Sequence, residues 1–546
     1  MTPDASARLR PLDLALLAAL ALALFLPGQA GLPPLDRDES RYAVAVTQMV
    51  TTGDLIDIRY QDQPRWLQPA GIYWLQSLSV SALGALGEIW AHRVVSLAGA
   101  VLSVLLAAWL GARLYGRQAG IAAGAMLAAC LVLNVEARMA KIDATMLAAV
   151  LAAQSALLLL YLDRAARPAL AAAVLWVALG VGLMLKGPIP TMVTVLTAAA
   201  ISLWNRDAAW LRRLRAHWGV PLMLAIVLPW LLAIVIRTEG AFLSEAIGHS
   251  MLGKVADGQQ GHGAPPGYHL LAFSVAFWPA SLFFVLALPW VWANRHEKAV
   301  RALLCWVVPT WVVFEIVATK LPHYTLPTYP ALAILAGAAL SAGALGLPAG
   351  RWRWLGRVIL GVWLVVAAAL ALFGPVLAFL AERRVNWLAV AAAVAAVGLM
   401  ALALRLLGRA EMRRALAASL GAAAVVWVVT FGHTLPGIRA LWLSPRIAEA
   451  AAAAAPCRDP LLITQPYHEP SLVFLHGPYR TRLVTGAAQA AAAFRAAPCA
   501  VAAMGEREEA AFLAALGEEL RRAAVIEGRN YSNGRFYRIA ILVRPE

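Results

Sequence analysis

The sequence predicts an all-α polytopic membrane protein of about thirteen transmembrane helices, followed by a small C-terminal α/β domain outside the bilayer. Three observations predict it. Of 546 residues, 61% are hydrophobic and only 14% charged, whereas a soluble domain carries roughly a quarter charged residues. The mean hydropathy is +0.70. Apolar runs of bilayer-crossing length, about 20 residues each, recur until about residue 436, and a lipid-crossing segment that satisfies its own backbone is a helix.

The runs fall at 12–30, 90–112, 118–135, 144–162, 169–185, 189–204, 217–236, 273–293, 302–319, 325–346, 358–380, 386–404 and 416–434. The net charge of +16 sits in the short loops between them. That position marks an orientation signal and contact with anionic lipid, and it excludes nucleic acid as a partner. Arg8 and Arg10 precede the first run, and no small-residue cleavage site follows it, so the run reads as a retained helix.

With a cytoplasmic N-terminus, every second loop is basic, as the positive-inside rule requires. These loops carry Arg113 and Arg117; Arg164 and Arg167; Arg206, Arg212, Arg213 and Arg215; Arg295, Lys298 and Arg301; Arg351, Arg353 and Arg357; and Arg405, Arg409, Arg413 and Arg414. The opposite loops are poor in cations yet hold the unusual polar residues: an outer loop of 31–89, then 134–143, 185–188, 237–272 and 319–324. Within 31–89, the run 71–87 is apolar on one face and flanked by Trp66 and Trp90, which fits a helix lying in the membrane interface.

Residues 1–436 thus form the transmembrane domain, and 437–546 a soluble domain, where β-like runs such as 460-PLLITQ-465 and 538-RIAILV-543 alternate with helical ones. Cys130 and Cys305 lie in helices. Cys457 and Cys499 share the tail, and in an oxidising periplasm they form a disulfide, or else remain two buried thiols.

The stretch 36-DRDESRYAVAVTQMV-50 raises the functional question. Asp38 and Glu39 are either solvated loop acids or a base held at the membrane surface, with Arg41 and Tyr42 crowding the same segment. Cations that could meet a lipid phosphate there are Lys141, Lys186 and Lys320, with His323. Lys186 and Lys320 otherwise snorkel from helix ends. His323 otherwise caps a turn. Asp143, which opens a run, otherwise serves as an N-cap. Tyr324 and Tyr329 line a lipid groove or belong to the interfacial belt. His249, Lys254, His262, Tyr268 and His269 stand in a long loop whose turn-rich 257–267 is either a lid or a plain flexible connection.

The ordered set of Asp38-Glu39-Ser40-Arg41-Tyr42, 68-QPAGIYWLQSLS-79, 90-WAHRVVSLAGA-100, 137-ARMAKIDATML-147, 182-GLMLKGPIP-190 and 319-TKLPHYTLPTYPALAIL-335 resembles the GT-C glycosyltransferases. The nearest branches are the protein O-mannosyltransferases and the lipid A aminoarabinose transferases. The resemblance implies an inverting enzyme with a polyprenyl-phosphate sugar as donor. Asp38 would deprotonate the acceptor, and Glu39 would support it through Arg41. Tyr42, Gln68, Arg138, Lys141, Asp143, Lys186, His249, Lys320, His323 and Tyr324 would contact substrate. The acceptor is lipid A or another glycolipid, or else a protein. The enzyme is expected in the bacterial inner membrane, as a monomer whose active site faces the periplasm. Where the aminoarabinose branch has Glu-Lys-Pro, this chain has Leu67-Gln68-Pro69, and Gln68 carries no charge. That departure weakens any case for a divalent metal, leaving His249 and Glu39 as candidate ligands. The competing class is a lipid-linked sugar flippase, but the two halves of the chain show no repeat.

Overall fold

The computed structural model describes residues 8–246, 263–348 and 350–545. Ten helices lie between residues 8 and 237. They are α1 (Pro11–Phe25), α2 (Asp38–Thr52), α3 (Gly71–Leu83), α4 (Ile89–Tyr115), α5 (Arg117–Ala129), α6 (Leu131–Glu136), α7 (Asp143–Tyr161), α8 (Pro168–Lys186), α9 (Ile189–Asn205) and α10 (Ala216–Arg237). Seven more complete the membrane part: α11 (Tyr268–Ala276), α12 (Ala280–Ala293), α13 (Lys298–Ile316), α14 (Tyr329–Ser341), α15 (Arg353–Glu382), α16 (Trp387–Gly408) and α17 (Met412–Val429). A two-residue hairpin of β1 (Arg59–Tyr60) and β2 (Gln63–Pro64) sits between α2 and α3.

Eight helices among the described residues are long and apolar enough to cross a membrane. The count becomes nine if α11 and α12, which meet at 117°, form one span. This count does not confirm the expected thirteen, and three shorter apolar helices, Pro11–Phe25, Ile189–Asn205 and Leu326–Ser341, stand beside it. The remaining apolar runs fold as shorter or broken helices. Residues 118–135 are interrupted at Cys130, and 273–293 turns at Trp278-Pro279, where proline offers no N–H to continue the ladder. A hydropathy window averages over such breaks.

Small residues let the helices approach closely, as packing inside a bilayer favours. On α4, Ser96, Gly99, Ala100, Ser103 and Ala107 are buried. A Cβ on Gly99 would stand 2.6 Å from Thr145 Cα and 2.8 Å from Thr145 N on α7. Backbone atoms cannot move aside as a side-chain tip can. Gly99→Ala is therefore expected to cost about 1–3 kcal/mol, read as a lower unfolding midpoint in detergent.

The tail forms a five-stranded sheet of β3 (Leu461–Gln465), β4 (Thr481–Leu483), β5 (Ala500–Gly505), β6 (Arg521–Arg529) and β7 (Phe536–Val543). Its order is β4-β3-β5-β7-β6, with β4, β3 and β5 parallel and β7 antiparallel to both neighbours. Strand alternation divides the core between two faces. Ala500, Ala502 and Met504 of β5 pack with Phe494 and Phe512, whereas Val501 and Ala503 pack with Leu443, Ile447 and Leu472. Cys457 and Cys499 are joined as a disulfide at the leading ends of β3 and β5. The helix α19 (Pro470–His476), which follows α18 (Leu443–Ala454), docks on α2 through Val473 and Phe474 against Ala43 and Val44. The soluble domain therefore rests on the segment that carries Asp38.

Candidate active site

α2 begins at Asp38, so Asp38 and Glu39 both occupy its first turn, where acids favour the positive end of the helix. One residue along a helix is a rotation of about 100°, and it separates their fates. Asp38 is exposed, and its carboxylate makes no hydrogen bond or ion pair among the described residues. Glu39 is fully buried. Its Oε1 accepts from Arg93 Nε at 2.8 Å and from the Ala140 N–H at 2.7 Å. Its Oε2 accepts from the other arm of Arg93 at 2.8 Å and from the Leu35 N–H at 2.8 Å. Arg93 also donates to the carbonyls of Gln29, Leu32 and Pro33 at 2.7–3.0 Å.

This node ties the outer loop, α4 and the 137–142 turn into one rigid floor. Glu39 thus works through Arg93, not Arg41. With both oxygens occupied, it is neither a base nor a metal ligand. Arg93 was not foreseen. The available signal was an arginine four residues into an apolar run, which calls for a buried acid.

Beside Asp38, the Tyr42 hydroxyl bonds to Gln68 Oε1, and the Tyr42 ring stands 5.2 Å from that of Tyr73. The charge of Asp38 is felt at Tyr42, Tyr73, Arg65, Lys141 and Tyr324. These residues come from four separate chain segments gathered around one acid.

A second group assembles from helix ends on this side. Lys186, at the C-terminus of α8, bonds to Asp143 at the first residue of α7. Lys141 Nζ lies 3.3 Å from Glu136 and 3.8 Å from Asp143. His323 presents Nδ1 at 3.5 Å to Glu136 and Nε2 at 3.7 Å to Asp143. Tyr324 lies under Lys186 Nζ, 6.0 Å from its ring centroid. Asp143 makes no capping bond; its carboxylate faces the lysines instead. Glu136 was overlooked, although an acid five residues before a lysine in an apolar chain was visible.

Glu136, Asp143 and His323 offer donor atoms within 4.8 Å of one another. Burial pushes His323 down to about 3, with the Asp143 charge opposing, so it is neutral at physiological pH. Burial holds Glu136 above the usual carboxylate range against the pull of Lys141. The three donors could hold a divalent cation in competition with the Lys141 and Lys186 ammonium groups.

Other expected contacts go elsewhere. Arg138 is buried, and its guanidinium donates to Pro27 O at 2.7 Å, to Asn134 O at 2.5 Å and to Leu24 O. It closes the C-terminal end of α1 rather than facing the cleft. Lys320 Nζ donates to Val317 O at 2.6 Å, at the end of α13. His269 is buried with no hydrogen-bond partner for either ring nitrogen among the described residues. His249, Lys254, His262 and most of the turn-rich loop lie outside the described residues.

The seam with the soluble domain holds a second pair of acids. Asp36 accepts from the Ser471 hydroxyl, and its N–H donates to the Tyr531 oxygen at 2.6 Å. Burial, and then the like charge of Glu469, push Asp36 up to about 7, against the pull of the Ser471 and Tyr531 bonds. A carboxyl with a raised pKa binds its proton more tightly in the folded state than in the unfolded chain. Its penalty is absent below about 4, grows between about 4 and 7, and is complete above about 7. Asp36→Asn is therefore expected to raise the unfolding midpoint at pH 8 and leave it unchanged at pH 4, in a pH series of thermal melts.

The chain is similar to several known proteins. The family model described as dolichyl-phosphate-mannose-protein mannosyltransferase matches residues 67–232. The undecaprenyl phosphate-alpha-4-amino-4-deoxy-L-arabinose arabinosyl transferase of Pseudomonas paraeruginosa is 29% identical over 339 residues, 61% of this chain and 60% of that one. A Pseudomonas fluorescens protein of the same description is 30% identical over 349 residues, 62% and 60%. The matched segment thus spans about 60% of the length of these relatives. The crystal structure of ArnT from Cupriavidus metallidurans bound to undecaprenyl phosphate superposes with a TM-score of 0.75 over 97% of both chains, at 23% identity. The chain thus has the fold of that structure and is similar in sequence, over part of its length, to these transferases.

Proposed function

We propose that the protein is an integral-membrane glycosyltransferase that moves a sugar from a polyprenyl-phosphate donor to an envelope acceptor, with aminoarabinose as the sugar and lipid A as the acceptor. One observation carries the reading: an exposed, unengaged carboxylate, Asp38, stands beside a buried neighbour that is fully occupied and within electrostatic reach of Lys141. Asp38 takes the proton from the attacking acceptor oxygen. That oxygen forms a bond to the anomeric carbon from the face opposite the phosphate. The carbon–oxygen bond to phosphate breaks, and the phosphate leaves with the electron pair, which inverts the centre. Lys141 and Lys186 stabilise the charge gathering on the leaving phosphate.

A lipid donor suits a second feature. An apolar cavity of about 460 Å³ runs between α4, α7 and α8. Thr145 and Leu185, close in sequence to Asp143 and Lys186, line it, as an isoprenoid chain would require. The disulfide Cys457–Cys499 lies in the domain docked on α2, which supports an active face in the oxidising periplasm. Protein O-mannosylation is the second reading, favoured by the family match over 67–232.

The test is a transfer assay with reconstituted protein, a panel of undecaprenyl-phosphate sugars, and lipid A or acceptor peptides. Aminoarabinose transfer to lipid A is the expected product by mass spectrometry. Transfer to peptide alone would favour the second reading, and transfer from no donor to any acceptor would overturn both. Loss of the rate in chelator would assign a divalent cation to the Glu136, Asp143 and His323 group, and an undiminished rate would assign it none.

A further inference from the structure

A cavity of about 500 Å³ opens between the β1–β2 hairpin and the 241–245 turn, within the range of small-ligand sites. Arg41, Tyr60, Arg65 and Trp66 line it, with Ser244 and Glu245 also on its wall. Two guanidinium groups against one carboxylate leave the lining positive. Arg65 is only 7% exposed. Its guanidinium lies over the Tyr42 ring, 5.1 Å from the centroid, and also meets the Tyr73 hydroxyl, while its Nε has no hydrogen-bond partner among the described residues. The Tyr60 hydroxyl is buried and unpartnered in the same way.

A buried donor left unused costs free energy that an arriving acceptor returns. The planar arginine fork matches the oxygens of a phosphate, and a lysine would meet them as a point charge. Lipid phosphates lie at the depth of the membrane surface, where Trp66 also belongs.

We infer that Arg65, assisted by Arg41 and the Tyr60 hydroxyl, binds a phosphate-class anion in this cavity. The inference rests on the proposed function for its source, the donor phosphate. Arg65 sits three residues before the uncharged Gln68, and the charge of Asp38 reaches it. It supplies on this wall the cation that Gln68 lacks.

The test measures binding of undecaprenyl phosphate, without sugar, to the full-length protein in nanodiscs, with inorganic phosphate as a second probe. Arg65→Gln is expected to weaken the lipid by about tenfold or more, and Arg65→Lys to recover part of the loss. A role in packing alone would not give that order, because lysine would not restore the stacked fork. Should Arg65→Gln fold poorly, the half-buried Arg41→Gln provides the same reading, with a smaller loss of lipid affinity. Dependence of inorganic phosphate alone on Arg65 would keep the site and assign it to a free anion. Wild-type affinity of Arg65→Gln for both probes overturns the inference. Arg65-dependent lipid binding without sugar transfer would sink the proposed enzyme and leave this site standing. Transfer with Arg65-independent binding would do the reverse.

Discussion

Asp38→Asn is expected to lower the transfer rate on the order of 10²–10⁴-fold while the unfolding midpoint and donor affinity stay at wild-type values. The large kinetic effect follows from the role: asparagine keeps the shape of the side chain and loses the ability to take a proton. The absent stability effect follows from position. Asp38 is exposed and makes no hydrogen bond or ion pair among the described residues, so no such bond of the fold is lost with its charge. A flippase with no use for a base would tolerate the substitution in both measurements. The readouts are initial rates of transfer, thermal melts in detergent and lipid binding.

The neighbouring acid behaves in the opposite way. Glu39→Ala is expected to destabilise the protein by about 3–5 kcal/mol, because it leaves Arg93 charged, unpaired and with no exposed side-chain surface. Two backbone N–H groups, those of Leu35 and Ala140, lose their acceptor at the same time. Arg93→Ala should cost a similar amount, since it strands the carboxylate. The double variant should lose much less than the sum of the two, the non-additivity that marks a shared interaction. Equilibrium unfolding of the four proteins in detergent checks this. Two consecutive residues of one chemical type would then differ completely, one carrying activity and the other the floor on which activity stands.

Much of the architecture was legible because bilayer crossing imposes length and charge rules that a sequence must obey in plain view. Run length located most of the helices. Alternating apolar runs marked the tail sheet. Breaks were less visible. Neither Cys130 nor Trp278-Pro279 takes its surrounding run out of the apolar range, so a broken helix reads as a whole one. For the site, the resemblance picked out the right segments, but the partner of each side chain lay out of reach. Whether Glu39 or Asp38 faces inward is a matter of helical phase, and the phase is fixed by an arginine 54 residues later. Arg138 and Lys320 look like phosphate ligands from sequence, yet helix-end carbonyls claim them. Asp143 looks like a cap until Lys186, 43 residues away, takes its charge. Apart from Lys320, whose acceptor Val317 stands three residues before it, these misreadings concern a partner distant in sequence, which local pattern does not encode.

The account stands on Asp38 facing away from the cytoplasm, on the same side as the disulfide-bearing domain. Replacing Asp38 by cysteine and treating intact spheroplasts with a membrane-impermeant maleimide measures this directly. Background is low, since Cys130 and Cys305 are buried and Cys457 is paired with Cys499. The account predicts full modification while the membrane is closed. Modification only after the membrane is opened would place the cleft on the cytoplasmic side and contradict it.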